Sequence, residues 1–119
     1  MLDNTMISLM VNFIDIQTDQ HILPTRKYIT ADNLSYLPVV EDILTVEIDI
    51  DTQLPVSLSI NDTQFFNASD TQPQVPAKCY IVKQIVKKLM VNKACDNIDY
   101  LLEEMSFIAA KKACLTITK

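Results

Sequence analysis

The sequence predicts an α+β fold, with a small N-terminal β-sheet and a C-terminal helical cluster packed on it. Apolar residues recur at every second position in the first half of the chain and at helical spacing in the second half. Charge divides at nearly the same place. Residues 1–73 contain two basic and eleven acidic residues, a net charge of −9, and residues 74–119 contain eight and four, a net charge of +4. With 119 residues, the chain is expected to form one domain over 1–119, strand-rich over 1–60.

Alternating apolar residues predict the first two strands. Over residues 6–14, the side chains of Ile7, Leu9, Val11 and Phe13 would share one face of a strand. A turn is expected at 18–20, after which residues 21–29 could return as a second strand.

The clearest alternation lies over residues 45–51, and it recurs over 56–60. These two stretches could form a hairpin, or one could be an edge strand with Pro55 at its entry. Before them, the end of the stretch 31–44 has helical spacing, which Pro38 interrupts.

A polar loop is expected over 61–76, where Asn, Asp, Thr, Gln and Pro dominate. The remaining residues, 77–119, are expected to be helical. Apolar side chains at helical spacing predict one helix around 80–90, a second from 98 to 105 and a short third one over 109–115.

The chain contains no glycine, whereas about eight would be expected at the usual share of roughly 7%. Phosphate-binding loops and dinucleotide-binding turns need glycine where the backbone approaches the ligand, so these chemistries are excluded. The turn of serine hydrolases that carries the nucleophile is excluded for the same reason. Turns that need a positive φ are expected to use Asn and Asp.

Few residues suit catalysis or metal binding. His21 is the single histidine, and we expect it to be a surface or half-buried residue. Cys79, Cys95 and Cys114 form no C-x-x-C pair, so we expect buried thiols in a reducing compartment and no metal site. Asp49 and Asp51 could hold a divalent cation, but a solvated strand face is the favoured interpretation. We therefore expect neither an enzyme nor a cofactor.

Lysines gather in the predicted helix around 80–90, where Lys83, Lys87 and Lys88 would be near one another on one surface. This favours, as an alternative function, a small nucleic-acid-associated or viral accessory protein. The sequence pI of about 4.6 and the lack of interleaved aromatic residues make nucleic acid a disfavoured partner. No apolar run approaches the roughly 18 residues of a membrane span, so no membrane contact is expected.

The segment Asp96–Phe107, followed by Lys111–Leu115, resembles the last helical pair of BTB/POZ domains, the superfamily of the SCF ubiquitin-ligase adaptor and elongin C. The stretch Tyr80–Met90 matches a family helix in position, although Met90 and the two residues after it stand where the family has Tyr-Thr-Gly. The stretch Ile22–Ile29 is similar to an early family segment, with Arg26 in place of a histidine.

The resemblance implies a non-catalytic protein–protein interaction domain. It would be either a dimerisation module or an adaptor that scaffolds a partner complex, such as a ubiquitin ligase. Its partner would be a second copy or a scaffold such as a cullin-type protein, and its location would be intracellular, in the cytoplasm, the nucleus or both. A cullin-like contact would fall on Thr45–Phe66 and Tyr80–Met90, and a receptor contact on Phe107–Leu115. The candidate interaction residues are Phe65, Phe66, Tyr80, Lys83, Lys87, Met90, Tyr100, Met105, Phe107 and Leu115.

Overall fold

The computed structural model describes residues 8–23, 27–29, 37–66, 69–88 and 95–117. Seven strands and one helix form in this part of the chain. In chain order they are β1 (Ser8–Asp15), β2 (Gln20–His21), β3 (Lys27–Ile29), β4 (Ile43–Ile48), β5 (Pro55–Ile60), β6 (Ala77–Lys88), β7 (Cys95–Met105) and α1 (Phe107–Ile117).

All seven strands belong to one mixed sheet with the order β2-β1-β7-β6-β4-β5, and β3 pairs with β1 on the same side as β2. The pair of β1 and β7 is parallel, and the other pairs are antiparallel. The two longest strands, β6 and β7, therefore lie in the middle of the sheet.

The predicted C-terminal helical cluster is wrong, and with it the expected BTB/POZ-like architecture. Residues 77–88 and 95–105, which were expected to form two helices, are the central strands β6 and β7. In the described part of this region only Phe107–Ile117 is helical. The expected helix at the end of 31–44 is also absent from its described residues, since residues 37–42 are irregular and Ile43 begins β4.

A β-bulge explains why β6 has a helix-like pattern. The register with β7 shifts between Val82 and Gln84, so that Lys83 is an extra residue on β6. Val82 pairs with Leu102 and Ile85 pairs with Tyr100, which places Val82 and Ile85 on the same face although they are three residues apart. This spacing is typical of a helix when no bulge is assumed.

Burial on both faces explains why the residues of β7 were also predicted to form a helix. Ile98, Tyr100 and Leu102 alternate on one face and are buried, while Leu101 and Met105 are half-buried on the other. A strand with apolar residues on both faces loses its simple alternation. The apolar residues whose spacing predicted a helix belong to the two faces of one strand: Ile98, Leu101, Leu102 and Met105.

The first half of the chain follows the alternation more closely. The first predicted strand is β1, and the predicted return is present as β2 and β3 within the described residues. The two stretches around 46–50 and 56–60 do form a hairpin, because β4 and β5 pair in an antiparallel register. The short terminal helix is also present, as α1.

The sheet curls around one of its faces, which is called the core face below. Nine buried residues form the cluster on this face: Val11, Phe13, Leu44, Val46, Tyr80, Val82, Ile98, Tyr100 and Leu102. Half-buried side chains from the two ends of the strand order, Ile22 after β2 and Ile60 on β5, pack against the same cluster. The curl therefore brings the two borders of the sheet toward a shared interior.

The opposite face carries α1 and is called the helix face. Ile43, Phe66, Cys79, Ala110 and Cys114 form its buried cluster. The ring of Phe66 lies 5.1 Å from that of Phe65 and 5.4 Å from that of Phe107, measured between centroids. These aromatic contacts tie the loop after β5 to the start of α1.

Within the described residues of this glycine-free chain, four with positive φ serve the turns. They are Asp19 (57°), Glu41 (77°), Gln53 (61°) and Asn61 (49°). Asp19 and Asn61 agree with the expectation that Asp and Asn would take these positions. Glu41 and Gln53 were not anticipated, and their longer side chains gain less from local hydrogen bonding in this conformation. Asn92, for which a left-handed conformation would be expected at the end of the predicted helix around 80–90, lies outside the described residues.

Candidate functional site

A cavity of about 260 Å³ opens at one end of the core face, and it is called the mouth cavity below. Its wall comes from both borders of the sheet, because Gln20 of β2 and Pro55 of β5 both line it. Asp15, Lys78, Tyr80 and Glu104 line it from β1, β6 and β7. The mouths of barrel-like sheets are common sites for small ligands.

The strand register explains why these side chains meet. Glu104 pairs with Tyr80, and Lys78 lies two residues before Tyr80 on the same face of β6. Asp15 is the last residue of β1 and pairs with Gln20. The turns at Ile16–Asp19 and Ile50–Thr52 stand at this end of the sheet and frame the opening.

Asp15 is the most buried charged residue of the mouth cavity, with 6% of its surface exposed. Its Oδ1 accepts a hydrogen bond of 2.8 Å from the backbone N–H of Gln17. A carboxylate has about four acceptor positions, so this one bond leaves acceptor capacity. A buried carboxylate is costly unless it is paired or fully hydrogen-bonded.

Tyr80 lies beside these acids, with 4% of its surface exposed. Burial, with smaller contributions from the nearby carboxylates of Glu104 and Asp15, raises the pKa of Tyr80 to about 12. The hydroxyl therefore stays protonated at neutral pH and can donate or accept a hydrogen bond. The two carboxylates, which contribute less to this shift than burial does, favour a cation beside the hydroxyl, whereas burial itself disfavours any charge there.

The rim of the mouth cavity has both signs of charge. Lys78 and Glu104 are exposed there, whereas Val46 and Ile48 supply apolar wall. The cavity thus combines a buried acid, a neutral hydroxyl, one exposed ammonium group and an aliphatic surface. This arrangement can hold a small polar molecule, and its volume is slightly below the roughly 300–1,000 Å³ of sites for drug-sized ligands.

A second candidate surface is the outer edge of β5, with which no strand of the described residues pairs. The backbone N–H of Asn61 donates to the carbonyl oxygen of Ile43 at 2.7 Å. Because hydrogen-bonded pairs alternate in an antiparallel ladder, Ser59 and Ser57 bond toward β4. Leu58 and Ile60 therefore direct their backbone N–H and C=O groups to the free edge.

Exposed apolar side chains accompany this edge on the β4–β5 hairpin. Ile50 is 68% exposed, Leu54 is 53% exposed and Val56 is 62% exposed. Val56 is the extra residue of a bulge, because Glu47 pairs with Ser57 and Ile48 pairs with Pro55. These three residues and the edge of Leu58 and Ile60 are called the hairpin surface below.

The residues predicted as an interaction surface do not lie together. Tyr80 and Tyr100 are buried in the cluster of the core face, and Phe66 is buried in that of the helix face. Phe65, Met105 and Phe107 pack around the second cluster. Leu115 is half-buried on α1, Lys83 and Lys87 are exposed on β6, and Met90 lies outside the described residues.

The lysines do not form the basic helix surface that the nucleic-acid alternative requires. On β6, Lys87 pairs with Ile98 of the core face, whereas Lys88 lies on the helix face. The ammonium groups of Lys83 and Lys88 lie 3.8 Å and 3.4 Å from the carboxylates of Glu103 and Asp99. Acidic residues of β7 therefore accompany the lysines of β6.

The other residues considered for chemistry have structural surroundings. Asp49 Oδ1 accepts the backbone N–H of Asp51 at 2.8 Å, so this acid orders the turn of the hairpin. Cys79 and Cys114 are buried, as expected, and burial raises the pKa of both thiols. His21 is exposed on β2. No group of three or more possible metal ligands occurs among the described residues.

Sequence reasoning named Tyr80 as a candidate residue but missed Asp15, Lys78 and Glu104, the charged residues of the mouth cavity. Asp15 gave one usable signal, because it directly follows the apolar residues of the first predicted strand. An acid at this position is expected at the end of a strand, where the sheet meets solvent. Lys78 and Glu104 gave no usable signal, because both were assigned to helices. Their proximity depends on the pairing of β6 with β7.

In comparisons with known proteins, no family model, no curated protein and no solved structure matches the chain. Helix α1 has 11 residues, and no helix within the described ranges has the length and apolar character needed to cross a membrane.

Proposed function

We propose that this chain is a non-catalytic protein-binding domain that adds an extended segment of a partner protein to the free edge of β5. The observation that carries the proposal is the hairpin surface, where an unpaired edge adjoins three exposed apolar side chains. Strand addition of this kind takes its affinity from main-chain hydrogen bonds and its specificity from neighbouring side chains.

The composition of the edge favours strand addition. The sequence of β5, PVSLSI, has no charged residue, and charge is the usual protection of an edge strand. The bulge at Val56 limits the available edge to the residues after it. A short partner segment could therefore pair, whereas long edge-to-edge aggregation is restrained.

Charge favours a basic partner over a second copy of this chain. Asp49 and Asp51 lie at one end of the hairpin surface, and Asp62 lies just beyond the other end. An antiparallel pair of two β5 strands would place Asp62 of each copy near the acidic turn of the other. Like charges opposed in this way are destabilising, whereas lysine or arginine flanking the partner segment would be attracted.

An odd number of cysteines with no C-x-x-C pair favours a reducing compartment, so we propose this function for the inside of a cell. The proposal does not use the cullin-type contact on Tyr80–Met90, because the described residues of that stretch form a strand. It also leaves aside the nucleic-acid alternative, because acidic neighbours accompany Lys83 and Lys88.

Peptide titration tests the proposal. The probes are two fluorescent peptides with the same alternating Thr-Val centre, one flanked by lysines and the other by glutamates, and binding is followed by anisotropy. We expect saturable binding of the basic peptide, with amide shifts at Leu58 and Ile60 in NMR spectra. V56K should weaken binding by about tenfold or more, because it adds a repulsive charge at the edge.

Ile108 supplies the matched control, since it is 48% exposed on α1, which packs on β6 and β4. I108K should leave peptide affinity unchanged. Equal binding of the two peptides, or an unchanged affinity in V56K, would contradict the proposal. If light scattering shows a dimer and V56K dissociates it, the partner at the edge of β5 is a second copy of this chain and not another protein.

A further inference from the structure

The mouth cavity holds chemistry that strand addition does not use. Asp15 and Tyr80 are each more than nine-tenths buried, and both line it. Within the described residues, the hydrogen bond recorded for the Asp15 carboxylate comes from the backbone of Gln17. A buried acid with spare acceptor capacity, next to a hydroxyl, is suited to a ligand that brings donors and a positive charge.

The opposite side of the cavity is suited to a negatively charged group of the ligand. Lys78 is exposed at the rim, and within the described residues no ion pair is formed by its ammonium group. Aliphatic side chains, among them Val46 and Ile48, lie between these charged groups in the wall. A ligand that complements the whole wall carries both signs of charge and an apolar part.

We propose that the mouth cavity binds a small zwitterion of the amino-acid class with an aliphatic side chain. The ammonium group of the ligand donates to the carboxylate of Asp15 and to the hydroxyl oxygen of Tyr80. The carboxylate of the ligand pairs with the ammonium group of Lys78. The aliphatic side chain packs on Val46 and Ile48, and the volume of about 260 Å³ matches a ligand of this size better than a drug-sized molecule.

The field in the cavity supports the position of the ammonium group. Burial is the main reason why the hydroxyl of Tyr80 stays protonated, and the carboxylates of Glu104 and Asp15 act in the same direction. A cation at the same place gains from both carboxylates. Lys78, on the same strand two residues away, keeps a carboxylate group at the rim and out of this negative region.

Calorimetric titration of the full chain with three probes tests the assignment. The probes are L-leucine, 3-methylbutylamine, which lacks the carboxylate, and 4-methylpentanoate, which lacks the ammonium group. We expect L-leucine to bind most tightly, the amine more weakly and the acid most weakly. D15N, which keeps the acceptor for the N–H of Gln17, should weaken L-leucine by tenfold or more and leave the acid unchanged.

K78Q is the complementary variant, and its exposed position keeps the fold intact. It should weaken L-leucine and leave the amine unchanged, whereas the control K88Q, on the helix face, should change neither. The proposal is overturned if no probe binds saturably, or if D15N and K78Q leave the affinity for L-leucine unchanged. The result is independent of peptide binding at the hairpin surface, since V56K changes that surface and Val56 does not line the mouth cavity.

Discussion

The side-chain amide of Asn12 donates a hydrogen bond of 2.8 Å to Oδ1 of Asp99, across the parallel pair of β1 and β7. Asp99 also lies 3.4 Å from the ammonium group of Lys88, so three strands of the helix face share one polar cluster. Asn12 is 9% exposed, and the bond satisfies its donor away from water. This cluster is a specific link between the first strand and the last two.

Removal of the Asp99 carboxylate is expected to weaken that link. D99A should lower the free energy of unfolding by about 1–3 kcal/mol, because the buried amide of Asn12 loses its acceptor. Urea denaturation followed by circular dichroism measures the change.

The matched control removes the other acid paired with a lysine of β6. Glu103 lies 3.8 Å from Lys83, and both side chains are about half exposed. E103A should therefore cost roughly 0–1 kcal/mol, as exposed ion pairs do. Equal losses in the two variants would show that burial of the Asn12–Asp99 bond does not matter.

Replacement of Glu41 by glycine is expected to stabilise the fold. Its φ of 77° is left-handed, a conformation that costs a residue with a Cβ about 1–2 kcal/mol and costs glycine little. E41G should therefore raise the free energy of unfolding, although greater freedom of the unfolded chain offsets part of the gain. Thermal and urea denaturation of the variant measure the net effect.

Asn61 is the control, because its φ of 49° is also left-handed but its side chain is used. Its Oδ1 accepts the N–H of Ile43 at 2.8 Å, and its Nδ2 donates to Asp42 at 3.0 Å. N61G should lower the free energy of unfolding by about 1 kcal/mol or more. A stability gain in N61G, or a loss in E41G, would contradict this account of the turns.

Helix α1 begins with a capping residue whose contribution can be measured. The Oγ of Ser106 accepts the backbone N–H of Ala109 at 3.1 Å, which satisfies one of the free donors of the first turn. S106A should lower the free energy of unfolding by about 1 kcal/mol, whereas S106D should keep the cap. If S106A and S106D were equally stable, the hydrogen bond would carry no stabilisation.

How far the sequence predicts this fold depends on whether a strand has one apolar face or two. The hairpin of β4 and β5 and the strand β1 follow from alternation, because polar residues such as Asn12, Thr45 and Glu47 alternate with apolar ones even where both faces are buried. β6 and β7 do not, because the bulge at Lys83 shifts the phase and both faces are partly buried. Only the partner strand distinguishes this pattern from a helix.

The same reason limits prediction of the candidate sites. The free edge of β5 follows in part from Pro55, which favours an edge position. The mouth cavity needs Asp15, Lys78 and Glu104 together, and they are separated by 63 and 26 positions in the sequence. The order of the strands and the curl of the sheet bring these residues together. The local spacing of apolar residues predicts neither of these features.

Stability is expected to fall at alkaline pH through buried phenol and thiol groups. Burial raises the pKa of Tyr80 and Tyr100 from 10.0 to about 12, and that of Cys79 from 9.0 to about 11. The unfolded chain releases these protons at lower pH than the folded chain does. Their contribution to stability is therefore complete below about pH 9 and is lost progressively as the pH rises to about 12.

Urea denaturation at pH 8 and pH 10.5 measures this loss, and Y100F provides the sharpest comparison. Tyr100 is 2% exposed, and phenylalanine keeps its stacked contact with Phe13, whose ring centroid lies 5.3 Å away. Because Y100F removes one ionisable group, its free energy of unfolding should fall less between the two pH values than that of the unaltered chain. An equal fall in the two proteins would mean that Tyr100 ionises as readily in the folded chain as in the unfolded one.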